Sequence, residues 1–252
     1  MLPYGRGSDW DSPFRCIMAA IRAFDPVTRY GTRSGHLIRR MKLPRVYPIL
    51  DTESLERRGI RPVTAAAAFI EGGAVILQIR HKGHWGREFF EAARQVARLC
   101  REGGAELMVN DRADFALLLG AGLHLGQDDL APRDARRLMG PGAAIGFSSH
   151  NQTQLSAAGG EPVDYVALGP VFGTGSKRNP DPVIGVEEIR RCRGLVDKPL
   201  VAIGGITLQN AIEVWEAGAD SVAVIGGLLP EPATAQSLRE RMEEWRRLHL
   251  SV

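Results

Sequence analysis

Acidic residues stand just after two short apolar runs in the middle of the chain. Asn110 and Asp111 close the first of these runs, and Asp128 and Asp129 come soon after the second. An apolar run of about four to eight residues bounded by turn residues predicts a buried strand, and catalytic groups collect at strand ends in parallel-sheet folds. Two carboxylates repel each other unless a positive group lies between them. The pattern therefore predicts a site for a metal ion or a substrate, with a simple arginine pair as the third option.

Polar side chains alternate at the end of another apolar run. Gln78, Arg80 and Lys82 are each two residues apart, and side chains along a strand return to the same face every second residue. The spacing predicts that all three face the mouth of a barrel, although a solvated strand end would produce the same pattern.

A later loop, GPVFGTGSKRNP, carries a further cation. Lys177 follows the small and hydroxyl-bearing residues Thr174, Gly175 and Ser176. Hydroxyls and backbone N–H groups beside a lysine can all donate to a phosphate group, whereas a polar mobile loop is the alternative interpretation. Glycine pairs also follow the last two apolar runs, where barrel enzymes commonly hold a phosphate.

The charges of these residues favour a metal ion between the acids. Arg80, Lys82 and Lys177 supply +3, and Asp111 and Asp129 supply −2. Mg²⁺ typically binds one or two carboxylates together with substrate phosphates and water. With Mg²⁺ the site would total about +3, which matches a diphosphate that carries about −3. A salt bridge from the first aspartate to the arginine that follows it is the alternative, but it leaves the second acidic pair unexplained.

The apolar runs alternate with helical patterns along the whole chain from Met41. The predicted strands are Val46–Leu50, Ala74–Ile79, Glu106–Val109, Leu123–Leu125, Ala144–Phe147, Tyr165–Leu168, Leu200–Ile203 and Ser221–Val224. The predicted helices are Val63–Glu71, Arg87–Arg101, Ala113–Leu119, Pro132–Met139, Thr153–Ala158, Val186–Arg193, Gln209–Ala217 and Ala233–Leu248. Eight strand–helix units in about 200 residues predict an α/β fold with a single (β/α)8 TIM barrel. An open doubly wound sheet is the alternative, but no GxGxxG motif follows the first strand.

Composition favours an ordinary globular protein over a membrane or nucleic-acid-binding protein. No apolar run in the 252 residues approaches the ~18 residues of a membrane helix. Residues 1–40 hold seven arginines and three aspartates, a net charge of +4, so the remaining residues total −1 against +3 for the whole chain. The basic charge thus belongs to an N-terminal segment rather than to a nucleic-acid-binding surface. We expect residues 1–40 to be a poorly ordered extension and residues 41–252 to be the catalytic barrel.

The cysteines favour a reducing compartment. Cys16, Cys100 and Cys192 are an odd, scattered set without a CxxC pair. Neither a disulfide framework nor a zinc site is expected, and the cytoplasm is the simplest location. The expected partners are small-molecule substrates, with no membrane or nucleic acid, and a homo-oligomer is left open.

An ordered set of motifs resembles the thiamine phosphate synthase family. The motifs are QIRHK, VNDRADFAL, HLGQDD, GFSSH, GPVFGTGSK and AIGGI, each at a predicted strand end, and the resemblance extends from about Arg45 to Leu229. It implies a TIM-barrel transferase that joins 4-amino-5-hydroxymethyl-2-methylpyrimidine diphosphate to a thiazole phosphate, with Mg²⁺ as cofactor. The implied products are thiamine monophosphate and diphosphate. The implied chemistry is dissociative and needs no general base.

The resemblance also implies roles for individual residues. Binding of the pyrimidine diphosphate would fall to Gln78, Ile79, Arg80, His81, Lys82, Asn110, Ser148 and Lys177. The members of this set with a catalytic role would be Arg80, Lys82, Ser148 and Lys177, and the Mg²⁺ ligands would be Asp111 and Asp129. The thiazole phosphate would be held by Thr174, Gly175, Ser176, Gly205, Ile225 and Gly226. Gly226 stands where the family frequently has serine, which leaves phosphate contact there to the backbone.

Two other functions are compatible with parts of this pattern. A thiazole tautomerase of the same fold would use acid–base chemistry, for which His150 could serve, but it needs no diphosphate cradle. A non-catalytic phosphate-metabolite sensor would need an output surface or domain, and the sequence supplies none beyond the N-terminal segment. His124 has the pattern of a lone histidine near a strand end, which is typical of a hydrogen-bonded structural residue.

Overall fold

The computed structural model describes residues 43–175 and 181–250, the last two by their backbone alone. The predicted N-terminal extension lies outside the described residues, as do the predicted site residues Ser176 and Lys177. No helix in the described part of the chain is long and apolar enough to cross a membrane.

Eight parallel strands close into a barrel in chain order. The strands are β1 Val46–Asp51, β2 Ile76–Arg80, β3 Glu106–Asn110, β4 Gly122–Leu125, β5 Ile145–Ser149, β6 Tyr165–Leu168, β7 Leu200–Ile203 and β8 Ser221–Val224. Each strand pairs with the next, and β8 pairs with β1. The prediction of a (β/α)8 TIM barrel is confirmed, and the open sheet is excluded.

Helices follow the strands and cover the outside of the barrel. They are α1 Thr52–Glu56, α2 Pro62–Glu71, α3 Arg87–Glu102, α4 Ala113–Leu119, α5 Pro132–Met139, α6 Gln152–Gly159, α7 Val186–Cys192, α8 Ala211–Glu216 and α9 Ala235–Leu250. Short 3₁₀ helices cover Arg193–Leu195 and Gly226–Leu228. The buried residues of α3 recur every three or four positions, at Ala93, Val96, Ala97 and Cys100, as expected for a helix with one face on a core. The short helix α1 was not among the predicted helices.

Side chains along each strand alternate between two cores. The core inside the barrel contains Tyr47, Ile49, Ile76, Met108, Ala144, Tyr165, Ala167, Val201 and Ala223. The core between strands and helices takes neighbouring strand residues such as Leu50, Leu77, Val109 and Val166. This period of two is expected of strands that are buried on both faces. A polar residue at an inward position near a strand's carboxyl end therefore faces the mouth of the barrel.

Glycines leave room for large side chains inside the barrel. Gly146 on β5 pairs in register with Tyr165 on β6, and a Cβ added at Gly146 would lie 2.0 Å from Tyr165 Cζ. Gly122 on β4 likewise pairs in register with Met108 on β3, and a Cβ added at Gly122 would lie 2.4 Å from Met108 Sδ. A close-packed interior has no space for an extra atom at such positions. The glycines therefore allow Tyr165 and Met108 to fill the inside of the barrel.

Gly146→Ala is expected to lower the free energy of unfolding by about 1–3 kcal/mol, the usual cost of overpacking a core. The added methyl group would collide with the fully buried ring of Tyr165. Gly142→Ala is the matched control, because a Cβ there meets no atom within 4 Å. We expect the control to change stability by less than about 0.5 kcal/mol. Urea unfolding measures both variants, and equal stabilities would contradict the packing argument.

Candidate active site

A large cavity opens at the carboxyl ends of the strands. Its volume is about 1180 Å³, and residues that follow each of the eight strands line it. The predicted site residues in its wall are Gln78, Arg80, His81, Lys82, Asn110, Asp111, Asp129, Ser148, Thr174, Gly175, Gly205, Ile225 and Gly226. Ile79 does not line the cavity, because its fully buried side chain packs in the core between strands and helices. The barrel thus brings together motifs that are far apart in the chain.

Two aspartates and a lysine meet at one side of the cavity. Lys82 Nζ donates to Asp111 Oδ2 over 2.5 Å. Asp129 Oδ2 accepts from the backbone N–H of Gly126 over 2.7 Å. Burial raises the pKa of the Asp129 carboxyl, and its contact with Asp111 raises that pKa further. The two carboxylates are therefore close enough to disfavour each other's charge, as two acids sharing one site do.

Asp129→Asn is expected to make the protein more stable than wild type at neutral pH in EDTA. The raised pKa means that folded Asp129 binds its proton more tightly than the unfolded chain does. Protonated Asp129 therefore adds to the free energy of unfolding below the ordinary aspartate pKa of about 4. This contribution is lost as the pH rises through the raised pKa of the folded state. Asparagine cannot ionise, so the variant escapes this loss. Urea unfolding from about pH 4 to about pH 8 tests it; an advantage that does not grow with pH would contradict the assignment.

Asp111 adopts a strained backbone conformation. Among the described residues it is the one non-glycine residue with a positive φ, at 66°. Its N–H donates to the carbonyl of His124 over 2.8 Å, and the next N–H, of Arg112, donates to the carbonyl of Asn110 over 2.8 Å. Residues in sparsely populated backbone regions persist where their surroundings over-determine them, commonly at functional sites. These hydrogen bonds hold Asp111 at the end of β3 with its carboxylate toward Lys82.

The alternative of a salt bridge between Asp111 and Arg112 is wrong. Arg112 Nε and Nη2 donate to Asp114 over 2.9 and 2.5 Å. The guanidinium also lies 4.5 Å from the centre of the Phe115 ring and 5.7 Å from that of Trp85. Asp111 pairs with Lys82 instead.

The Asp51 carboxylate was missed by sequence reasoning. It ends β1, is 1% exposed, and accepts a short hydrogen bond from Arg80 Nη1. Its other oxygen accepts from the Ser54 N–H over 2.9 Å and from Ser54 Oγ over 2.6 Å, which caps α1. Asp51 adds one negative charge, so the net charge of the site is one unit lower than the value predicted from the sequence. Its position immediately after the first apolar run was the available signal.

An aromatic cluster supports the loop that carries Lys82. The His81 ring stacks on Phe89 with centres 3.9 Å apart, and its Nδ1 lies 2.8 Å from Thr52 Oγ1. Its Nε2 lies 3.2 Å from the carbonyl oxygen of His84. Trp85 Nε1 donates to the His81 carbonyl over 3.0 Å. His81 therefore borders the cavity while both ring nitrogens are engaged in holding the loop.

The loops after β6 and β7 pack against each other. Gly205 has φ of 64°, and a Cβ there would lie 2.5 Å from the carbonyl oxygen of Gly173. The N–H of Phe172 donates to the carbonyl of Gly204 over 3.0 Å. Only glycine suits both the left-handed conformation and the close approach. This packing keeps Gly205 beside the loop that contains Thr174.

The 3₁₀ helix after β8 is anchored by α9. Trp245 Nε1 and Arg241 Nη1 donate to the carbonyl of Gly227 over 3.2 and 3.3 Å. Gly226 borders the cavity, and a Cβ there would meet no atom within 4 Å. The first N–H groups of a short helix have no partner within it. The backbone at Gly226 can therefore approach a ligand in the cavity closely.

Buried polar side chains form the floor of the cavity. Gln78 Nε2 donates to Tyr47 OH over 3.1 Å, and Tyr47 OH lies 3.0 Å from Tyr165 OH. His124 Nδ1 lies 2.9 Å from Tyr165 OH, and its Nε2 lies 2.9 Å from Ser148 Oγ. His124 is thus hydrogen-bonded as expected. The tyrosines were missed, because a tyrosine in an apolar strand carries no signal that distinguishes it from an ordinary core residue.

His150 lies at another part of the cavity wall. Its Nδ1 donates to the carbonyl of Gly169 over 2.9 Å, and Asp181 Oδ2 is 3.4 Å away. A carbonyl accepts only, so Nδ1 carries a hydrogen and the neutral ring has Nε2 as its acceptor. The geometry leaves His150 able to act as a base at Nε2.

The sequence matches a family model and several named proteins. The model for thiamine monophosphate synthase matches residues 46–228. The thiamine-phosphate synthase of Koribacter versatilis is 46% identical over 198 residues, covering 76% of this chain and 92% of that protein. The thiamine-phosphate synthase of Methanoculleus marisnigri is 42% identical over 195 residues, with 76% and 92% covered.

A solved structure gives the same assignment. The thiamine phosphate pyrophosphorylase from Pyrococcus furiosus has a TM-score of 0.71 and 32% identity, covering 82% of this chain and 96% of that one. The matched residues 46–228 include the motifs that lie at the strand ends around one cavity. On this sequence and fold similarity, the chain belongs to the thiamine monophosphate synthase family and is a transferase of thiamine biosynthesis.

Proposed function

We propose that the protein condenses 4-amino-5-hydroxymethyl-2-methylpyrimidine diphosphate with a thiazole phosphate, forming thiamine monophosphate and releasing diphosphate. In this proposal the bond from the methylene carbon to the diphosphate oxygen breaks first, and its electron pair leaves with the oxygen. The thiazole nitrogen then captures the pyrimidine-methyl cation through its lone pair. Bond breaking requires no proton transfer, so the demands on the site are charge stabilisation and placement of the nucleophile.

The observation that carries the proposal is the convergence of charged groups at one side of a deep cavity. Lys82, Asp111 and Asp129 lie together after three consecutive strands, and Arg80 lines the same wall. A leaving diphosphate gains negative charge as the bond breaks, so fixed cations next to it stabilise the transition state more than the bound substrate. The buried Asp51 holds Arg80 in one orientation. This pair keeps Arg80 placed before the substrate binds.

The two carboxylates fit Mg²⁺. Asp111 and Asp129 contact each other, and that contact disfavours their joint ionisation. The described residues contain no group of three or more His, Cys, Asp or Glu side chains suited to a metal. Mg²⁺ commonly uses only one or two carboxylates and completes its shell with water and substrate phosphates. Bound here, Mg²⁺ would neutralise charge on the leaving diphosphate.

The opposite side of the cavity suits the thiazole phosphate. Thr174, Gly175, Gly205 and Gly226 line this side. A hydroxyl and backbone N–H groups can donate to a phosphate without adding charge. Gly205 packs closely against the loop after β6, which also carries Thr174 and Gly175. The two substrates would then approach each other across the barrel mouth.

Lys177→Ala is expected to lower the rate of thiamine phosphate formation by about a hundredfold, the scale for losing one preorganised electrostatic contact. Lys177 lies outside the described residues, but it follows Thr174 and Gly175, which line the cavity. His150→Asn is the matched comparison and is expected to change the rate far less, because no proton transfer limits a dissociative step. A thiazole tautomerase would give the reverse order, since His150 would carry the proton.

Purified protein with both substrates and Mg²⁺ tests the proposal directly. We expect thiamine phosphate and diphosphate in equal amounts, measured by chromatography, with the variants ranked as above. Thiazole isomerisation is assayed in parallel on the same samples. Isomerisation without condensation, with activity destroyed by His150→Asn and spared by Lys177→Ala, would overturn the synthase proposal.

A further inference from the structure

A chain of four hydrogen bonds crosses the floor of the cavity from β2 to β5. It connects Gln78, Tyr47, Tyr165, His124 and Ser148 in that order, with distances of 3.1, 3.0, 2.9 and 2.9 Å. The first four of these residues are at most 7% exposed. Ser148 lines the cavity and is the end of the chain that a ligand can reach. Hydrogens in such a chain are constrained, because each hydroxyl has one hydrogen to donate.

One arrangement of the hydrogens gives both tyrosine hydroxyls and the imidazole N–H of His124 an acceptor within the chain. Gln78 contributes its amide nitrogen, which can only donate, so the Tyr47 oxygen accepts. Among the described residues the other hydrogen-bond partner of the Tyr47 hydroxyl is Tyr165. The Tyr47 hydrogen therefore goes to Tyr165, and the Tyr165 hydrogen goes to His124 Nδ1. His124 then carries its hydrogen on Nε2 and donates it to Ser148 Oγ.

The reverse direction leaves a buried donor unused. If His124 Nδ1 donated to Tyr165, the Tyr165 hydrogen would pass to Tyr47, whose own hydrogen would have no acceptor. Tyr47 is 1% exposed, so water cannot replace the missing acceptor cheaply. Burial raises the pKa of both the Tyr47 and the Tyr165 hydroxyl, so both keep their hydrogens at neutral pH. An imidazolium at His124 would leave the same unused donor.

We propose that this chain holds His124 as the Nε2–H tautomer and thereby makes the Ser148 hydroxyl a hydrogen-bond donor to a ring nitrogen of the pyrimidine substrate. One lone pair of Ser148 is occupied by His124, and its hydrogen remains for the ligand. His124 is a positioning residue, and Ser148 is the group that touches the substrate. The identity of the ligand rests on the proposed function, whereas the tautomer follows from the protein alone.

The surroundings of Ser148 favour a flat heterocycle over a phosphate. The adjacent floor is formed by small or apolar side chains on β6, β7 and β8, namely Ala167, Val201 and Ala223. Among the described residues, the arginine and lysine side chains that line the cavity are Arg80 and Lys82, which belong to β2 and its loop, three strands away from Ser148 on β5. A neutral donor above an apolar floor suits an aromatic nitrogen, which accepts a hydrogen bond in the plane of its ring.

The tautomer is tested by nitrogen-15 NMR of the full-length protein with labelled histidine, without substrate. His124→Gln identifies the His124 signals by their disappearance. We expect a protonated Nε2 and an unprotonated Nδ1 at neutral pH. In Tyr165→Phe the Nδ1 acceptor loses its donor, so we expect the two tautomers to mix. A protonated Nδ1 in the wild type would overturn the proposal, since it would mean that the Gln78 amide is turned and the chain runs in reverse.

The ligand is tested by pairing Ser148→Ala with substrate analogues in which each ring nitrogen in turn is replaced by CH. The loss of one hydrogen bond corresponds to about a tenfold rise in KM for the pyrimidine diphosphate. With the wild-type enzyme we expect one analogue to show this roughly tenfold rise in KM. With Ser148→Ala the same analogue should show no KM increase beyond that of the natural substrate with this variant. Ser148→Thr keeps the hydroxyl and should restore most of the affinity.

The outcomes of these experiments distinguish an error in this inference from an error in the proposed function. Equal losses for Ser148→Ala with all analogues would overturn the ring-nitrogen contact and place the hydroxyl on the diphosphate instead. An expected NMR result in a protein that forms no thiamine phosphate would refute the proposed function while leaving the tautomer established. A reversed tautomer in an active synthase would refute this inference alone.

Discussion

Asp111→Asn and Asp129→Asn are each expected to lower Mg²⁺-dependent formation of thiamine phosphate by about a thousandfold or more. A divalent cation beside a leaving diphosphate supplies several kcal/mol of transition-state stabilisation, and each ~1.4 kcal/mol corresponds to a factor of ten in rate. The two carboxylates contact each other and Lys82 at one side of the cavity. Asparagine keeps the shape of the side chain but loses the charge that Mg²⁺ requires. Initial rates over a range of Mg²⁺ concentrations measure the effect.

Asp128→Asn is the matched control for these variants. Asp128 is adjacent to Asp129 and exposed at the cavity edge. We expect its Mg²⁺ dependence and rate to stay near those of the wild type. Circular dichroism confirms that each variant is folded before rates are compared. Wild-type activity with unchanged Mg²⁺ dependence in Asp111→Asn or Asp129→Asn would remove the metal assignment.

Asp51→Ala is expected to lower the free energy of unfolding by about 3–5 kcal/mol, the cost of leaving a buried charge without its partner. Asp51 is 1% exposed and the Arg80 side chain 13% exposed, so little solvent is available to replace the lost carboxylate. The substitution also removes the cap of α1, because Asp51 accepts from the N–H and the hydroxyl of Ser54. Urea unfolding with a linear extrapolation measures the loss.

Two further variants separate the buried pair from ordinary surface charge. Glu91→Ala removes an exposed pair with Arg94 on α3, where the side chains are 49% and 66% exposed. We expect it to change stability by less than about 0.5 kcal/mol. Combining Asp51→Leu with Arg80→Met replaces the buried pair by apolar groups and should recover most of the stability while abolishing activity. A loss below about 1 kcal/mol in Asp51→Ala would contradict the assignment.

Periodicity in the sequence was sufficient to predict the barrel and the strand ends that surround its mouth. The apolar runs at Tyr165–Leu168, Leu200–Ile203 and Ser221–Val224 coincide with the observed β6, β7 and β8. Parallel strands in a closed barrel all end at the same rim, so a residue just after any strand must lie near the others. Gly205 was predicted for the same reason, because it directly follows the seventh predicted strand, and the structure adds that its conformation and close packing tolerate no side chain.

The pairing of side chains could not be read from the same pattern. Asp51 and Arg80 are 29 residues apart, as are Lys82 and Asp111. Which carboxylate meets which cation depends on strand register and on the left-handed backbone at Asp111, and neither leaves a mark in hydrophobic periodicity. Arg112 therefore has Asp114 as its partner, although Asp111 is nearer in the chain.

The buried hydrogen-bond chain also could not be predicted from the periodicity of the sequence. Tyr47 and Tyr165 are 118 residues apart and belong to strands that do not neighbour each other in the barrel. Local sequence specifies that each side chain points inward, because that follows from the strand period. Their contact exists only when the sheet has closed and Gly146 has left space for the Tyr165 ring. Closure is a property of all eight strands together, so no single segment of sequence encodes it.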